Sequence, residues 1–504
     1  MAGWKSEHTT HGQGVKQMGL KTRADYLKSL KGMRPNIYKF GELIEDVTAH
    51  AATRRTVESH ARGFDASHDP KYAQDFSTVS SFTGEKIHRW NSMMETLEDI
   101  MGNSKLKRWM YRFTGSCNGG LCVGWNAQNV MWNVTALIDK ECGTHYQERL
   151  KKWILGAQEK GLVVAGALTD AKGDRSLRPS QQADPDSNVH VKEVRKDGIV
   201  ISGTKAMICG VAASNEIFIL PGSGYRDEDK DYAVVVVVPR DIEGLTIVET
   251  RRPSDTREME DGFDIPEMGI TQAFLFFQDC FVPNERVFMC QEAKFAGKVI
   301  EYFTANYRAC IGACVAGQGD VMIGAGALMA RTNGLAAATF SAKMVEMAVN
   351  NETTYCMGIG AMALGKKGPG GMWVADSLTA HTNKVHVATL PYETKRLCQD
   401  IGGGVVETGC FPSSKDFNDP KYGHLVRKAL QASAKFSAET RARAARLSEW
   451  LTLGAGVPGC MHGGGSPDGA KLVVRAFTPV NEFADYARKI AGITEEVPEP
   501  EKKK

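Results

Sequence analysis

The run Tyr232-Ala-Val-Val-Val-Val-Val238 constrains this chain more than any other stretch. Its valines do not alternate with polar residues, so a strand built from them must be covered by apolar groups on both faces. The run is also far too short to cross a bilayer. The rest of the sequence has to supply both covers, and its periodicity indicates how.

Further β-branched or aromatic runs lie at 162–165, 198–202, 216–220, 245–248 and 273–277, separated by turns such as Lys196-Asp-Gly198 and Pro221-Gly-Ser-Gly224. Before them the pattern is helical. A short amphipathic helix is predicted over 22–30, ended by an extended piece at 34–38. Longer helices are predicted over 40–53, 87–102, 105–113 and 126–160, the last interrupted at Gly143. After Pro283-Asn284 helices return over 293–332, 337–364, 373–390, 422–453 and 469–490. The chain is therefore read as α+β. An N-terminal helical domain (1–161), a middle β-domain (162–286) and a C-terminal helical bundle (287–492) precede a charged tail (493–504) expected to be disordered.

A chain of 504 residues with 42% hydrophobic content can bury such cores. Its net charge of +3, from 62 basic and 59 acidic residues, gives no electrostatic case for nucleic acid or a membrane surface as partner. Residues 1–19 are polar and lack an apolar signal core, so a cytoplasmic address is expected. Twelve cysteines in such a chain suggest reduced thiols, metal ligands or small core residues rather than a disulfide framework.

Three constellations carry chemistry. In the turn after the strand at 162–165, Thr169, Asp170, Lys172, Asp174 and Arg175 gather acceptors and cations around Gly173, which lets the backbone approach a ligand. Alone, such a turn is equally a solvated loop. The runs Gln399-Asp-Ile-Gly-Gly403 and Met461-His-Gly-Gly-Gly465 are likewise either punctuation or places where backbone meets a ligand. Finally, Cys310 and Cys314 stand four apart on a predicted helix and project from one face, and Cys117 and Cys122 form a second pair.

Thr169-Asp-Ala-Lys-Gly-Asp-Arg175, with Pro179-Ser180 and Asp184-Pro-Asp186, resembles the flavin-binding segment of the 4-hydroxybutyryl-CoA dehydratase/vinylacetyl-CoA Δ-isomerase branch of the 4-hydroxyphenylacetate 3-hydroxylase family. Matching pieces run along the chain: Cys122-Val-Gly124, Asp231-Tyr-Ala-Val234, Asp255-Thr-Arg-Glu-Met-Glu260, Phe295-Ala-Gly297, Gly317-Gln-Gly-Asp-Val-Met-Ile-Gly324, Pro391-Tyr-Glu393 and Met461-His-Gly-Gly-Gly-Ser-Pro467.

The resemblance implies an acyl-CoA dehydrogenase-like fold, a homotetramer and FAD. It assigns to the flavin Gly166, Ala167, Leu168, Thr169, Lys172, Asp174, Arg175, the loop 207–210 with Cys209, and Met461, His462, Gly463 and Gly464; Gly402 and Gly403 match a segment offered by a neighbouring subunit. Cys209 stands where the family commonly has threonine, which weakens one hydrogen bond to the flavin edge. The resemblance also implies a [4Fe-4S] cluster held by two cysteines on one segment and a histidine and a cysteine on another. Here Cys117 and Cys122 have four residues between them where the family has three, Tyr307 replaces the histidine, and Cys314 remains. Cys310 adds a fourth thiol. The alternatives are a four-cysteine cluster, suited to electron transfer or structure rather than Lewis-acid catalysis, and cysteines that merely pack a helix.

The family's proton carriers are absent: Gln272, Gly459, Ile311 and Val315 stand at their places, and none moves a proton at neutral pH. Tyr307 is the candidate replacement acid or substrate contact, the plain alternative being a helix-face tyrosine. The expectation is an FAD-dependent enzyme acting on a CoA thioester by isomerisation, elimination or redox chemistry. Two alternatives stay open: a reduced-flavin-dependent aromatic monooxygenase, and a flavin/iron–sulfur electron-carrying or non-catalytic subunit.

Overall fold

The computed structural model describes residues 20–171, 173–251, 262–263, 269–409, 411–453 and 463–498. Its first helix, α1 (Arg23–Lys31), starts where Thr22 and Asp25 cap each other's backbone. The helix expected over 40–53 does not form. Phe40 (φ 53°) and Gly41 (φ 83°) instead make a left-handed two-residue turn joining β1 (Ile37–Lys39) to β2 (Glu42–Ile44). Pairing buries Ile37 and Ile44 together, so the apolar spacing that suggested a helix is used by a hairpin. A helix not anticipated, α2 (Arg54–His68), follows and buries Val57, Ala61 and Phe64. Nor is 87–102 one helix. Residues Lys86–His88 are extended, and α3 (Leu97–Thr114) begins only after the capping box at Thr96 and Asp99, then runs through 105–113 without a break. Helices α4 (Val123–Cys142) and α5 (Tyr146–Lys160) each end on a left-handed glycine, Gly143 and Gly161.

The middle region forms two sheets that reach past the expected bounds, taking in β1 and β2 from the N-terminal region and a strand just beyond residue 286. The smaller joins β3 (Val164–Ala167), β6 (Glu216–Ile219), β7 (Val234–Pro239) and β10 (Val287–Cys290). The larger runs in the order β2, β1, β8 (Leu245–Glu249), β9 (Gln272–Pro283), β5 (Gly198–Cys209), β4 (His190–Val194). Val234 to Val238 are all fully buried, as the unbroken valine run requires. Helices α4 and α5 pack on the smaller sheet, with Trp153 against Phe218 and Phe288.

The chain then enters α6 (Ala293–Thr332), 40 residues long. By length and composition α6 could cross a membrane, but 61% of its most apolar window is buried inside the protein, against α3, α7 (Ser341–Ala363), α8 (Ser377–Val387), α9 (Leu390–Gly402) and α10 (Ala438–Thr452). Two glycines let α6 and α7 touch backbone to backbone. A Cβ on Gly312 would fall 2.1 Å from the Thr354 carbonyl oxygen, and one on Gly358 would fall 2.2 Å from that of Ala309. The helix expected over 422–453 is interrupted and resumes at Ser437, whose side chain caps α10. The one expected over 469–490 divides into α11 (Pro467–Phe477) and α12 (Val480–Ile490) at Pro479, which cannot donate a backbone hydrogen bond. The expected tail lies partly, from 499, outside the described residues.

Candidate functional site

Helix α3, helix α6 and the turn that joins α3 to α4 meet at one place. The turn is held from three sides: Ser116 Oγ donates to the Gly269 carbonyl (3.1 Å), Asn118 donates to Ser59 Oγ, and the Gly120 N–H donates to His60 Nε2 (3.1 Å). His60 Nδ1 meets the Thr56 carbonyl at 2.7 Å, so with Nε2 accepting, Nδ1 carries the proton. Complete burial lowers His60 to about 4 and keeps it neutral. Gly119 lies so close to the end of β5 that a Cβ there would fall 2.6 Å from the Cys209 carbonyl oxygen.

This packing brings five thiols together, one more than the sequence reading placed there. Cys117 shares a hydrogen bond with Cys209 and feels Cys122 and Cys314, and together with burial these hold its thiol well above the ordinary range. Burial pushes Cys310 up to about 11; Lys107, Cys122 and Ser104 act on it too. Helix α3 supplies the opposite wall through Ser104, Lys107 and Tyr111, three and four residues apart and therefore on one face. Tyr111 shares a hydrogen bond with Cys117. Lys107 is 3% exposed, and its Nζ has no nitrogen or oxygen partner among the described residues. Burial works against its charge, but the sulfurs of Cys122, Cys310 and Cys314 outweigh that and hold it above its ordinary value.

Tyr307 closes the site from α6. Its ring stacks on Phe303 (5.5 Å between centroids) and lies 5.2 Å from Lys107 Nζ. On another side it meets the glycine run: a Cβ on Gly464 would fall 2.9 Å from the ring, and Arg308 Nε donates to the Gly464 carbonyl at 2.9 Å. Burial, then the surrounding cysteines, raise its hydroxyl well above the usual tyrosine range, so it keeps its proton at neutral pH. Ile311 and Val315, one and two turns further on, join Val387 and Tyr307 in an apolar wall.

The expected flavin residues are distributed over several surroundings. Gly166 and Ala167 lie in β3, where a Cβ on Gly166 would strike Val123 of α4. Thr169 accepts the Ala206 N–H at 2.9 Å. Asp170 is buried in an ion pair with Lys205 (2.7 Å), whose Nζ also donates to the carbonyls of Leu168 (3.0 Å) and Leu220 (2.7 Å). Gly173, Asp174 and Arg175 are exposed, and Asp174 caps Ser176. Met207 has a left-handed backbone (φ 57°) and is 58% exposed, beside a register shift between β5 and β9. Two residues on, Cys209 receives a hydrogen bond from Gln272 Nε2 (3.2 Å). Gly402 is buried at the end of α9 against Val406, and Gly403 turns the chain at φ 75°. Lys172, Gly459, Met461 and His462 lie outside the described residues.

Sequence reasoning missed His60, Lys107 and Tyr111. The signal for Lys107 was a cation on the same helical stripe as Ile100, Ser104 and Tyr111, a stripe otherwise suited to the core.

Among the described residues no three histidine, cysteine, aspartate or glutamate side chains converge tightly enough to hold one metal ion. The thiols act on one another and on the buried Lys107 ammonium, and Cys117 and Cys310 are both held above the ordinary thiol range.

Two family models, 4-hydroxyphenylacetate 3-hydroxylase N terminal and C terminal, match residues 22–289 and 296–492. The chain belongs to the 4-hydroxyphenylacetate 3-hydroxylase family. Within that family it is 36% identical, over 94% of its own length and 100% of the relative's, to a 4-hydroxybutyryl-CoA dehydratase/vinylacetyl-CoA Δ-isomerase of Clostridium aminobutyricum. The solved structure of an oxygen-tolerant archaeal 4-hydroxybutyryl-CoA dehydratase from N. maritimus superposes with a TM-score of 0.91 at 35% identity, covering 96% of this chain and 97% of that one. An oxygenase component of 4-hydroxyphenylacetate 3-monooxygenase, solved with FAD and 4-hydroxyphenylacetate, shares the fold at a TM-score of 0.78 and 22% identity, covering 94% and 98%.

Proposed function

We propose that this chain is an FAD-dependent enzyme acting on a CoA thioester beside its carbonyl, by isomerisation, elimination or redox chemistry. One observation carries the reading. Tyr307 stands between the glycine run at Gly464 and the cysteine pocket, so its protonated hydroxyl belongs to the place where flavin and thiols would meet. FAD would lie along Leu168, Thr169, Cys209, Gly463 and Gly464, with Arg175 free in solvent to reach its phosphates, in the acyl-CoA dehydrogenase-like arrangement of helices, strands and helices. When bound, it supplies one- or two-electron chemistry at the acyl chain. Cys117, Cys122, Cys310 and Cys314 would hold a [4Fe-4S] cluster that supplies electron transfer or rigidity.

The chain's own residues set the proton chemistry. Arg308 fixes the glycine run against Tyr307. Gln272 holds the Cys209 sulfur with a donor that cannot accept a proton. Ile311 and Val315 exclude water from one side of Tyr307, leaving its hydroxyl as the proton source on that helix. We place the enzyme in the cytoplasm as a homotetramer.

That same apolar wall favours a second reading, an electron-carrying subunit with no proton chemistry of its own. One experiment separates them: iron, acid-labile sulfide and flavin per chain after anaerobic purification, followed by turnover with acyl-CoA substrates. Iron, sulfide and FAD together with turnover of an acyl-CoA support the enzyme. The same cofactors without any turnover favour the carrier. Flavin without iron removes the cluster. We expect no dehydration of 4-hydroxybutyryl-CoA, because Gln272, Ile311 and Val315 offer no base; a robust rate would sink that expectation.

A further inference from the structure

We propose that Arg308 holds an anionic group of the substrate, and that this substrate is a CoA thioester whose acyl chain carries a carboxylate of its own. The proposal rests on the acyl-CoA reading and narrows it to a class of substrate. It starts from a buried cation whose charge nothing balances among the described residues. Arg308 is 6% exposed, and the hydrogen bond its guanidinium makes there runs from Nε to the Gly464 carbonyl (2.9 Å). Burial lowers it to about 10, and no anion acts in the opposite direction. A cation in that position carries a large desolvation cost unless an oxyanion comes to stand beside it.

Three helices surround the guanidinium, and none brings it a negative charge. On α6 the preceding residue is Tyr307, whose ring lies against Gly464. On α8 Asn383 donates to the Arg308 carbonyl (3.1 Å), and His381, 2% exposed, has Nδ1 2.6 Å from the Ser377 carbonyl. Burial, then the Arg308 charge, lower His381 to about 4, so its ring is neutral. At the start of α11 a Cβ on Gly465 would fall 2.7 Å from Arg308 Nη2, and Ser466 caps the helix by accepting the Gly469 N–H (3.0 Å). The positive end of the α11 dipole therefore lies beside the guanidinium and favours the same anion.

Acidic side chains on these helices are committed elsewhere. Glu301 pairs with Lys298 (2.7 Å), and Asp320 with Arg108 (2.9 Å) and Arg112 (2.8 Å). Asp376 accepts the Thr379 N–H (2.8 Å), and Asp468 pairs with Lys471 (3.3 Å). The planar guanidinium suits a carboxylate or a phosphate equally well, so position decides between them. Phosphates of CoA are held away from the thioester by the pantetheine arm, whereas Arg308 directly follows Tyr307, the proton source assigned to the reacting end. An anion that reaches Arg308 while the thioester lies near Tyr307 is carried by the acyl chain. The phosphates of FAD are the competing source.

The test compares wild type, Arg308→Gln and Arg308→Lys, with FAD counted per chain by absorbance. Binding of glutaryl-CoA and of valeryl-CoA, equal in chain length and differing in the terminal carboxylate, is read by calorimetry. In wild type we expect glutaryl-CoA to bind roughly ten- to a hundredfold more tightly than valeryl-CoA. Arg308→Gln should lose that preference while binding valeryl-CoA as wild type does, and Arg308→Lys should keep part of it. A wild type that binds the two alike, or valeryl-CoA more tightly, overturns the proposal and leaves the acyl-CoA reading standing; one that binds neither takes both down. An Arg308→Gln protein that weakens both ligands equally makes Arg308 only an anchor for the glycine run, and one that loses FAD with its preference intact makes it a cofactor contact. Either result overturns the proposal. Should Arg308→Gln fail to fold, judged by melting temperature, Arg308→Lys decides: a reduced preference with unchanged valeryl-CoA binding is expected, and an equal loss for both ligands overturns it.

Discussion

At Gly464 the chain runs flat against the Tyr307 ring with φ at 71°, a conformation that side chains rarely adopt. Gly464→Ala would place a methyl group 2.9 Å from the ring and strain the backbone as well. We predict a loss of about 1–3 kcal/mol in stability and a lower flavin content, read by thermal melting and by absorbance. His60 sets a second residue-scale expectation. Burial lowers it to about 4, below the ordinary 6.5, so the folded state favours neutral imidazole and its contribution is complete above pH 6.5. That contribution, on the order of 3 kcal/mol, is lost as pH falls from 6.5 through 4. His88, lowered to about 3 by burial and by His68, acts in the same direction. Melting temperature should therefore fall across this window, and His60→Gln should flatten part of the fall. A wild-type melting temperature indifferent to pH between 6.5 and 4 would contradict the assignment. Protonating His60 also removes the acceptor for the Gly120 N–H, so the cysteine turn should loosen at the same pH.

Among the elements, α6 and α7 cross where Gly312 and Gly358 let carbonyl oxygens approach to within 2.1 and 2.2 Å of a would-be Cβ. Gly312→Ala cannot be absorbed by a side-chain rotation, because the obstacle is the Thr354 backbone. We predict a melting temperature lower by several degrees, since about 1–3 kcal/mol is a large share of a domain's stability; an unchanged value would show that the helices can part freely. Elements of this kind were legible in the sequence to very different degrees. The span of α6 was readable from its unbroken apolar periodicity, and β7 from its valines. The hairpin at Phe40-Gly41 was not, because Leu43, Ile44 and Val47 have helical spacing and only pairing with β1 and β8 decides otherwise. Helix α2 was missed because much of its buried surface is Arg55, Thr56, Ser59, His60 and Ser67, polar residues that become core only through tertiary partners.

At the scale of the whole molecule, helices α11 and α12 leave a row of large side chains uncovered: Leu472, Phe477, Val480, Phe483, Tyr486 and Ile490 are all at least half exposed. An amphipathic face of this kind is unusual for an isolated chain. We predict a homotetramer in sedimentation, and that Phe483→Glu with Ile490→Glu shifts it towards smaller species; a wild-type monomer would refute this. The candidate site shows the same division between local and distant information. Cys310, Cys314 and Tyr307 could be placed together from helical spacing alone, whereas Lys107 and Cys209 reach them only through folding, from segments about 200 and 100 residues away. The length of α6 has a further consequence. At about 60 Å it is a rigid rod that carries Tyr307, Cys310 and Cys314 together, and inserting one residue would rotate everything beyond it by about 100° and turn the core face outward. Residues on this side of the site, Tyr307 among them, can therefore be changed without disturbing the core only by exchange in place. The turn that bears Cys117 and Cys122 lies between helices and is free of that restriction. The two halves of the site thus differ in what they can absorb, one only substitution and the other also a change of length.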